Sequence, residues 1–180
     1  MSWIPSWWTL LSNQSTYWQL YYKVATTGET NPTRTCDSNT WRATLVAYRW
    51  WFDLSNPIWV LWSTFYAPNL GFSWVESITV PANSFLIYFW SVYAWSSWPT
   101  NPSWYDLSIP ALFTNDVVRV WTSSDDTWMT VKSLQRATGW PTGNVYAEFS
   151  SSRITKWSFL VALWWVTGKN NKNNFFHFFW

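Results

Sequence analysis

Short runs of strand-forming residues, separated by turn residues, fill the sequence from Thr40 onward and limit what the chain can fold into. The runs are rich in Val, Ile, Thr and aromatic residues, and Pro, Gly, Asn, Asp and Ser lie between them, as in sandwiches and barrels. A helix of about ten residues would need an apolar stripe with a period of about 3.6 residues, and no apolar run shows one. The pattern therefore predicts an all-β fold.

We label the predicted strands B to I. They are B (40–53), C (57–66), D (74–81), E (85–95), F (116–123), G (127–134), H (144–150) and I (157–167). Eight strands joined by two long Pro-rich loops suit a jelly-roll β-sandwich, in which BIDG form one sheet and CHEF the other. The alternative is a seven-stranded immunoglobulin-like sandwich, but its Cys…Trp…Cys signature is missing.

The predicted strands divide the chain into three parts. Residues 1–39 carry scattered aromatics without a sustained period, so we expect an irregular N-terminal arm. Residues 40–167 form the predicted jelly-roll domain, and residues 168–180 form a C-terminal tail. A length of 180 residues is enough for one domain with a sizeable core.

Charge and hydropathy argue against two classes of protein. Charged residues are 11% of the chain and the net charge is +2, which disfavours both a disordered chain and a strongly basic nucleic-acid binder. The longest apolar runs, 85–95 and 157–167, are much shorter than the roughly twenty residues of a spanning helix. The first residues lack the basic n-region of a signal peptide. We therefore expect no membrane partner.

Enzyme motifs are missing from the sequence: it contains no G-x-S-x-G, GxGxxG, P-loop or HExxH pattern. Cys36 is the only cysteine, and His177 in the tail is the only histidine that could activate it. Glu76 and Glu148 lie on separate predicted strands, with nothing to pair them as a catalytic dyad. We expect no enzymatic activity, no catalytic residue and no cofactor.

Asp125 and Asp126 form the only adjacent pair of carboxylates, between predicted strands F and G. Asp is common in hairpin turns because its side chain caps its own backbone, and this is the simpler interpretation. The alternative is a calcium ion bound by these carboxylates between neighbouring subunits, since calcium prefers oxygen ligands.

The basic residues are dispersed rather than clustered. Lys23 and Arg34 belong to the predicted arm, and Arg42 and Arg49 to predicted strand B. Solvated strand faces are the simpler interpretation. The alternative is contact with RNA phosphates, which needs only a few cations per subunit when many subunits share one polymer. These four residues are the candidate RNA contacts.

One stretch carries a resemblance to a known family. Residues 63–83 read STFYAPNLGFSWVESITVPAN, in which a strand runs through Thr-Phe-Tyr into a short connection and then a strand ending near Pro. With the strand order of 40–167, this resembles the coat proteins of small icosahedral positive-strand RNA plant viruses, those of tymoviruses in particular. The resemblance implies a capsid protein of the virion, which self-assembles into a symmetric shell around viral RNA, with residues 1–39 lining the inside or tying subunits together.

Tryptophan offers a second hypothesis, from another functional class. The chain has 21 Trp, and exposed Trp rings stack on sugars and on nucleobases alike. A β-sandwich carbohydrate-binding module using exposed Trp is therefore the alternative to the capsid protein. Large particles would favour the capsid protein, and a monomer that responds to polysaccharide would favour the module.

Overall fold

The computed structural model of the protein describes twelve segments of the chain. They are residues 7–15, 18–25, 28, 44–49, 57–63, 72–94, 114–121, 126–136, 139–142, 145–148, 154–164 and 175–179. Within them every regular element is a β-strand and every strand pair is antiparallel, which confirms the all-β class. This part of the chain has no helix of the length and hydropathy that crossing a bilayer requires.

The strands are numbered here in chain order. They are β1 (Thr9–Ser15), β2 (Trp18–Ala25), β3 (Leu45–Arg49), β4 (Ile58–Ser63), β5 (Phe72–Val75), β6 (Thr79–Val80), β7 (Ser84–Ala94), β8 (Thr114–Trp121), β9 (Asp126–Arg136), β10 (Trp140–Pro141), β11 (Val145–Glu148), β12 (Ile154–Trp164) and β13 (Phe175–Phe179). One sheet has the order β1-β2-β13-β3, and a second has the order β4-β12-β7-β9-β8. Two small ribbons, β10-β6 and β11-β5, complete the described sheets.

The two large sheets pack face to face around one hydrophobic core. Leu20, Val46 and Tyr48 enter it from the four-stranded sheet. The five-stranded sheet contributes the larger share through alternate residues of its three central strands: Phe85, Ile87, Phe89, Met129, Val131, Phe159, Val161 and Leu163. This arrangement is a β-sandwich, in which alternate side chains of each strand meet those of the other sheet.

Two contacts show how the sheets meet in the core. The rings of Tyr48 and Phe85 lie edge to face, with centroids 5.2 Å apart and planes at 64°. Such a pair adds about 0.5–1.5 kcal/mol beyond the apolar area that it buries. Nearby, the hydroxyl of Thr44 donates to the sulfur of Met129 over 3.6 Å. Residues 44–49 are thereby fixed against β7 and β9.

The opposite face of the five-stranded sheet is buried as well. Leu86, Leu160 and Ala162 lie on that face and are fully buried. The short strand β5 lies against β12, and its Val75 is buried too. A strand covered on both faces reads as an almost continuous apolar run, which explains the composition of β7 and β12.

A hydrogen-bonded pair joins the segment before β6 to the segment after β10. The N–H of Ile78 donates to the side-chain oxygen of Thr142 over 2.9 Å, and the N–H of Thr142 donates to the carbonyl of Ile78 over 2.7 Å. Gly139 lies so close to the β6–β7 turn that a Cβ atom would be 2.7 Å from the backbone nitrogen of Ala82. The turn itself places Asn83 at a φ of 58°, a conformation that Asn tolerates well.

Most predicted strands are confirmed with shifted ends, and predicted strand D is divided in two. β3, β4, β7, β8, β9, β11 and β12 correspond to predicted strands B, C, E, F, G, H and I. Residues 76–78 interrupt strand D because Glu76 and Ser77 are exposed and the N–H of Ile78 bonds to a side chain instead of a neighbouring strand. β10 occupies residues that were predicted as a loop.

The expectation of an irregular N-terminal arm is corrected for residues 9–15 and 18–25, which form β1 and β2. The expected alternation is missing because Gln19, Leu20 and Tyr21 are consecutive and all buried, and because two register shifts interrupt β1. Residues 175–179 of the predicted tail form β13, which pairs with β2 and β3. The first and last parts of the chain therefore contribute strands to the same sheet.

The order of the strands differs from the predicted BIDG and CHEF sheets. Predicted strand I (β12) lies between C (β4) and E (β7), whereas the jelly-roll order places it between B and D. Strand B (β3) pairs with β13, a strand that was not predicted, along the edge expected for I. Strand pairing depends on contacts distant in sequence, and short apolar runs alone do not specify it.

Candidate functional site

Two of the four candidate RNA contacts lie in the four-stranded sheet. Lys23 belongs to β2 and Arg49 is the last residue of β3. Arg34 and Arg42 lie outside the described residues, so their role stays a prediction. Charge alone selected these residues in the sequence, and the fold brings the first pair together.

β13 lies between the two basic strands and sets their register. His177 is paired with Lys23 on one side and with Ala47 on the other. Arg49 follows Ala47 by two residues, so the positions of Lys23 and Arg49 belong to the same face of the sheet. Two strand spacings separate them, about 10 Å across the sheet.

The face that carries Lys23 is the outer face of the sandwich. Val46 and Tyr48 are buried in the core, whereas Leu45 and Ala47, which alternate with them, are exposed. Lys23 is in register with Ala47 through β13 and is half-buried.

An aromatic cluster lies on the same outer face, and its Tyr21 precedes Lys23 by two residues on β2. Trp8 and Tyr21 are buried against each other, and Leu10 packs against them. The hydroxyl of Tyr21 donates to the side-chain oxygen of Gln19. Trp7, directly before this cluster, has 85% of its surface exposed. Sequence reasoning missed Trp7, because nothing in its neighbourhood distinguishes it from the other Trp residues.

The acidic pair is described only in part. Asp126 begins β9 and is paired with Ala94 of β7, whereas Asp125 lies outside the described residues. No group of three or more His, Cys, Asp or Glu side chains suitable for a metal occurs in the segments that the structure describes. Cys36 also lies outside them. Calcium binding by Asp125 and Asp126 stays a prediction.

A second polar group of residues lies on the five-stranded sheet, on the face turned away from the sandwich core. Tyr88 is fully buried, and burial raises the pKa of its phenol far above the ordinary value. The side chain of Ser158 lowers this pKa by a smaller amount. Its hydroxyl has no well-formed hydrogen bond to any described residue. Lys132 is paired with Tyr88 across β7 and β9, and burial lowers the pKa of its amine.

The chemistry of this second group is limited by the same burial. Both shifts favour the neutral form, so Tyr88 stays a phenol and supplies neither a base nor a charge. Leu160 and Asn115 flank the pair in register, so no carboxylate stands in this row. The arrangement resembles a structural polar pair inside a sheet more than an acid–base site, and the outer face of the four-stranded sheet is the better candidate.

Comparison with known proteins adds no further constraint. No protein-family model, curated protein or solved structure matches this chain. The candidate site is therefore defined by its own geometry: Lys23 and Arg49 on one sheet, with an exposed Trp7 at its margin.

Proposed function

We propose that the protein is a structural subunit that self-assembles into a shell and binds RNA through the outer face of its four-stranded sheet. One observation carries the proposal: Lys23 and Arg49, both selected from the sequence as RNA contacts, lie two strands apart on one sheet. The neighbouring residues Leu45 and Ala47 show that this face is turned away from the core. The resemblance of residues 63–83 to tymovirus-like coat proteins suggests a virion as the location.

The β-sandwich and its outer face support this proposal. The proposal does not depend on the jelly-roll order of the strands. A coat protein with a jelly roll would have BIDG and CHEF sheets, whereas here β12 pairs with β4 and β7. Shell subunits need a rigid core and surfaces that fit copies of themselves, and a two-sheet core supplies that rigidity. Intersubunit calcium at Asp125 and Asp126 belongs to the same proposal.

Few cations per subunit suffice for RNA binding in such a shell. Each phosphate contact releases counterions, and the effect is multiplied by the number of subunits on one RNA. A chain with a net charge of +2 therefore needs no basic cluster to package a polymer. The carbohydrate-binding alternative needs two or three exposed rings side by side. The side chains of Trp7 and Trp8 are the Trp side chains that the structure describes, and Trp7 is exposed while Trp8 is buried.

The test combines assembly with RNA binding by the full chain. Size-exclusion chromatography with light scattering and negative-stain microscopy, with and without RNA, should show particles that protect RNA from nuclease. In the double variant Lys23→Gln with Arg49→Gln, the dependence of the logarithm of the binding constant on the logarithm of salt concentration should become shallower by about 0.7 per lost contact. Lys132→Gln is the control, since it replaces a basic side chain of the other sheet and should leave the salt dependence unchanged.

Two outcomes would contradict the proposal. One is a monomer that binds no RNA at low salt, and the other is equal salt dependence in wild type and the double variant. A monomer whose Trp fluorescence shifts with polysaccharide would instead support the carbohydrate-binding module.

A further inference from the structure

Trp7 combines two features that are uncommon in a folded chain. Its side chain is 85% exposed, and its φ of 75° lies in the left-handed region that residues other than Gly rarely adopt. The next residue, Trp8, is buried in the cluster with Tyr21. An exposed indole held in an unfavourable backbone conformation adds little to the stability of the chain itself, and such positions are often functional.

The register of β1 and β2 places the backbone of Trp7 near Lys23. Thr9 is paired with Tyr22 and Leu10 with Tyr21, so the chain before Thr9 runs along β2 toward Lys23. Trp8 packs on Tyr21, and Lys23 follows Tyr21 by two residues on the same face. The Cα atoms of Trp7 and Trp8 are about 3.8 Å apart, so the backbone of Trp7 lies beside the end of β1 that is nearest Lys23.

We infer that Trp7 is a stacking platform for an unpaired base of single-stranded RNA, whose phosphate contacts Lys23. The inference rests on the proposed function and names the form of RNA that the outer face binds. An exposed indole offers a flat surface to any base, and a neighbouring ammonium group offers a charge to the backbone. The two groups together match the alternation of base and phosphate along a single strand.

Duplex RNA does not fit this site in the same way. The bases of an A-form helix are stacked on one another, and proteins contact such a helix mainly through phosphates and 2′-hydroxyls. Trp7 would find no free base face on it, so only the contact of Lys23 would remain. The site should therefore bind single-stranded RNA more tightly than duplex RNA of the same length.

The experiment measures binding of a labelled twelve-nucleotide oligouridylate and of a duplex RNA of equal length, by fluorescence anisotropy at several salt concentrations. Trp7→Gly is the main variant, because Gly accepts a positive φ and an exposed ring contributes little packing, so the fold should persist. Trp7→Phe keeps a stacking ring. Leu45→Ala is the matched control, since it shortens the other exposed large apolar side chain among the described residues.

Stacking on one aromatic residue corresponds to about a 5- to 150-fold change in affinity. Trp7→Gly should therefore weaken single-strand binding by that factor and leave both duplex binding and the salt dependence unchanged. Trp7→Phe should keep most of the affinity, and Leu45→Ala should match wild type. Lys23→Gln should instead make the salt dependence shallower for both RNAs.

The results separate this inference from the proposed function. If wild type binds neither RNA, the proposed function fails. If wild type binds RNA and Trp7→Gly binds single strands equally well, or loses duplex binding to the same extent, the inference alone is overturned. Binding of a neutral oligosaccharide that disappears in Trp7→Gly would overturn it as well.

Discussion

The hydrogen bond between the N–H of Ile78 and the hydroxyl of Thr142 allows a sharp test of the fold. It spans 2.9 Å between segments 64 residues apart in sequence, and Ile78 and Thr142 are 6% and 2% exposed. It also anchors the end of residues 63–83, the stretch that carries the family resemblance. Thr142→Val replaces the hydroxyl by a methyl group of similar shape and leaves the N–H of Ile78 without an acceptor.

The expected loss of stability follows from what remains buried. An unsatisfied buried N–H costs about 1–3 kcal/mol. The added methyl group returns up to about 0.8 kcal/mol, the value for one buried CH₂. The free energy of unfolding should therefore fall by about 1–2 kcal/mol. The reciprocal bond, from the N–H of Thr142 to the carbonyl of Ile78, involves only backbone atoms and should persist.

Hydrogen exchange at a single amide is the decisive measurement, with urea unfolding as the global one. In Thr142→Val the amide of Ile78 should exchange about tenfold faster or more, since tenfold corresponds to about 1.4 kcal/mol. Thr142→Ser is the control, because it keeps the oxygen and loses only the methyl group. It should lose a comparable amount of stability while the amide of Ile78 stays protected.

One combination of results would show that the hydroxyl of Thr142 does not protect the N–H of Ile78. If the Ile78 amide exchanges at the same rate in wild type and Thr142→Val while Thr142→Ser loses stability, then the methyl group of Thr142 matters and its hydroxyl does not. The segment around residues 76–78 would then be held by packing and by the backbone bond from Thr142 to Ile78.

Two further predictions concern the same region and the five-stranded sheet. Gly139→Ala should lower the free energy of unfolding by about 1–3 kcal/mol, because the new Cβ would lie 2.7–2.9 Å from backbone atoms of residues 80–82, and an unchanged urea midpoint would contradict that close approach. Tyr88→Phe should be as stable as wild type at neutral pH, or more stable by up to about 1 kcal/mol, since the lost hydroxyl is buried without a well-formed hydrogen bond. Above about pH 10 the unfolded phenol ionises while buried Tyr88 keeps its proton, so wild type should lose stability relative to Tyr88→Phe as pH rises, and parallel pH profiles of the two proteins would contradict this.

The extent to which the sequence predicted the fold differs between the two sheets. Residues 84–94 were recognised as a strand because their apolar run is about the length of one strand and is bounded by turn residues. Residues 18–25 were missed because Gln19, Leu20 and Tyr21 are buried in succession, which removes the alternation that identifies a strand. Local pattern therefore located the five-stranded sheet and overlooked three of the four strands of the other sheet.

The candidate site depended even more on long-range pairing. Lys23 and Arg49 could be selected by charge, but their common sheet depends on β13, which lies more than a hundred residues away in the chain and was predicted as a tail. Trp7 is distinguished by its exposure and by its positive φ, and neither property is visible in a chain with 21 Trp. The sequence identifies the chemical type of each residue, but it does not show which residues become its neighbours in the fold.

Alternation along β3, together with the register of Lys23, would make stability and the proposed binding separable in this protein. On β3, Val46 and Tyr48 enter the core while Leu45 and Ala47 face outward, and on β2 Leu20 enters the core while Lys23 is in register with Ala47. A substitution at Lys23 or Trp7 therefore changes the outer face, and a substitution at Tyr48 changes the contact with Phe85. Because a strand turns successive side chains to opposite faces, the same two strands can hold the sandwich together and present the surface that we propose for RNA. Loss of RNA binding with an unchanged urea midpoint would thus point to the outer face, whereas loss of both would point to the core.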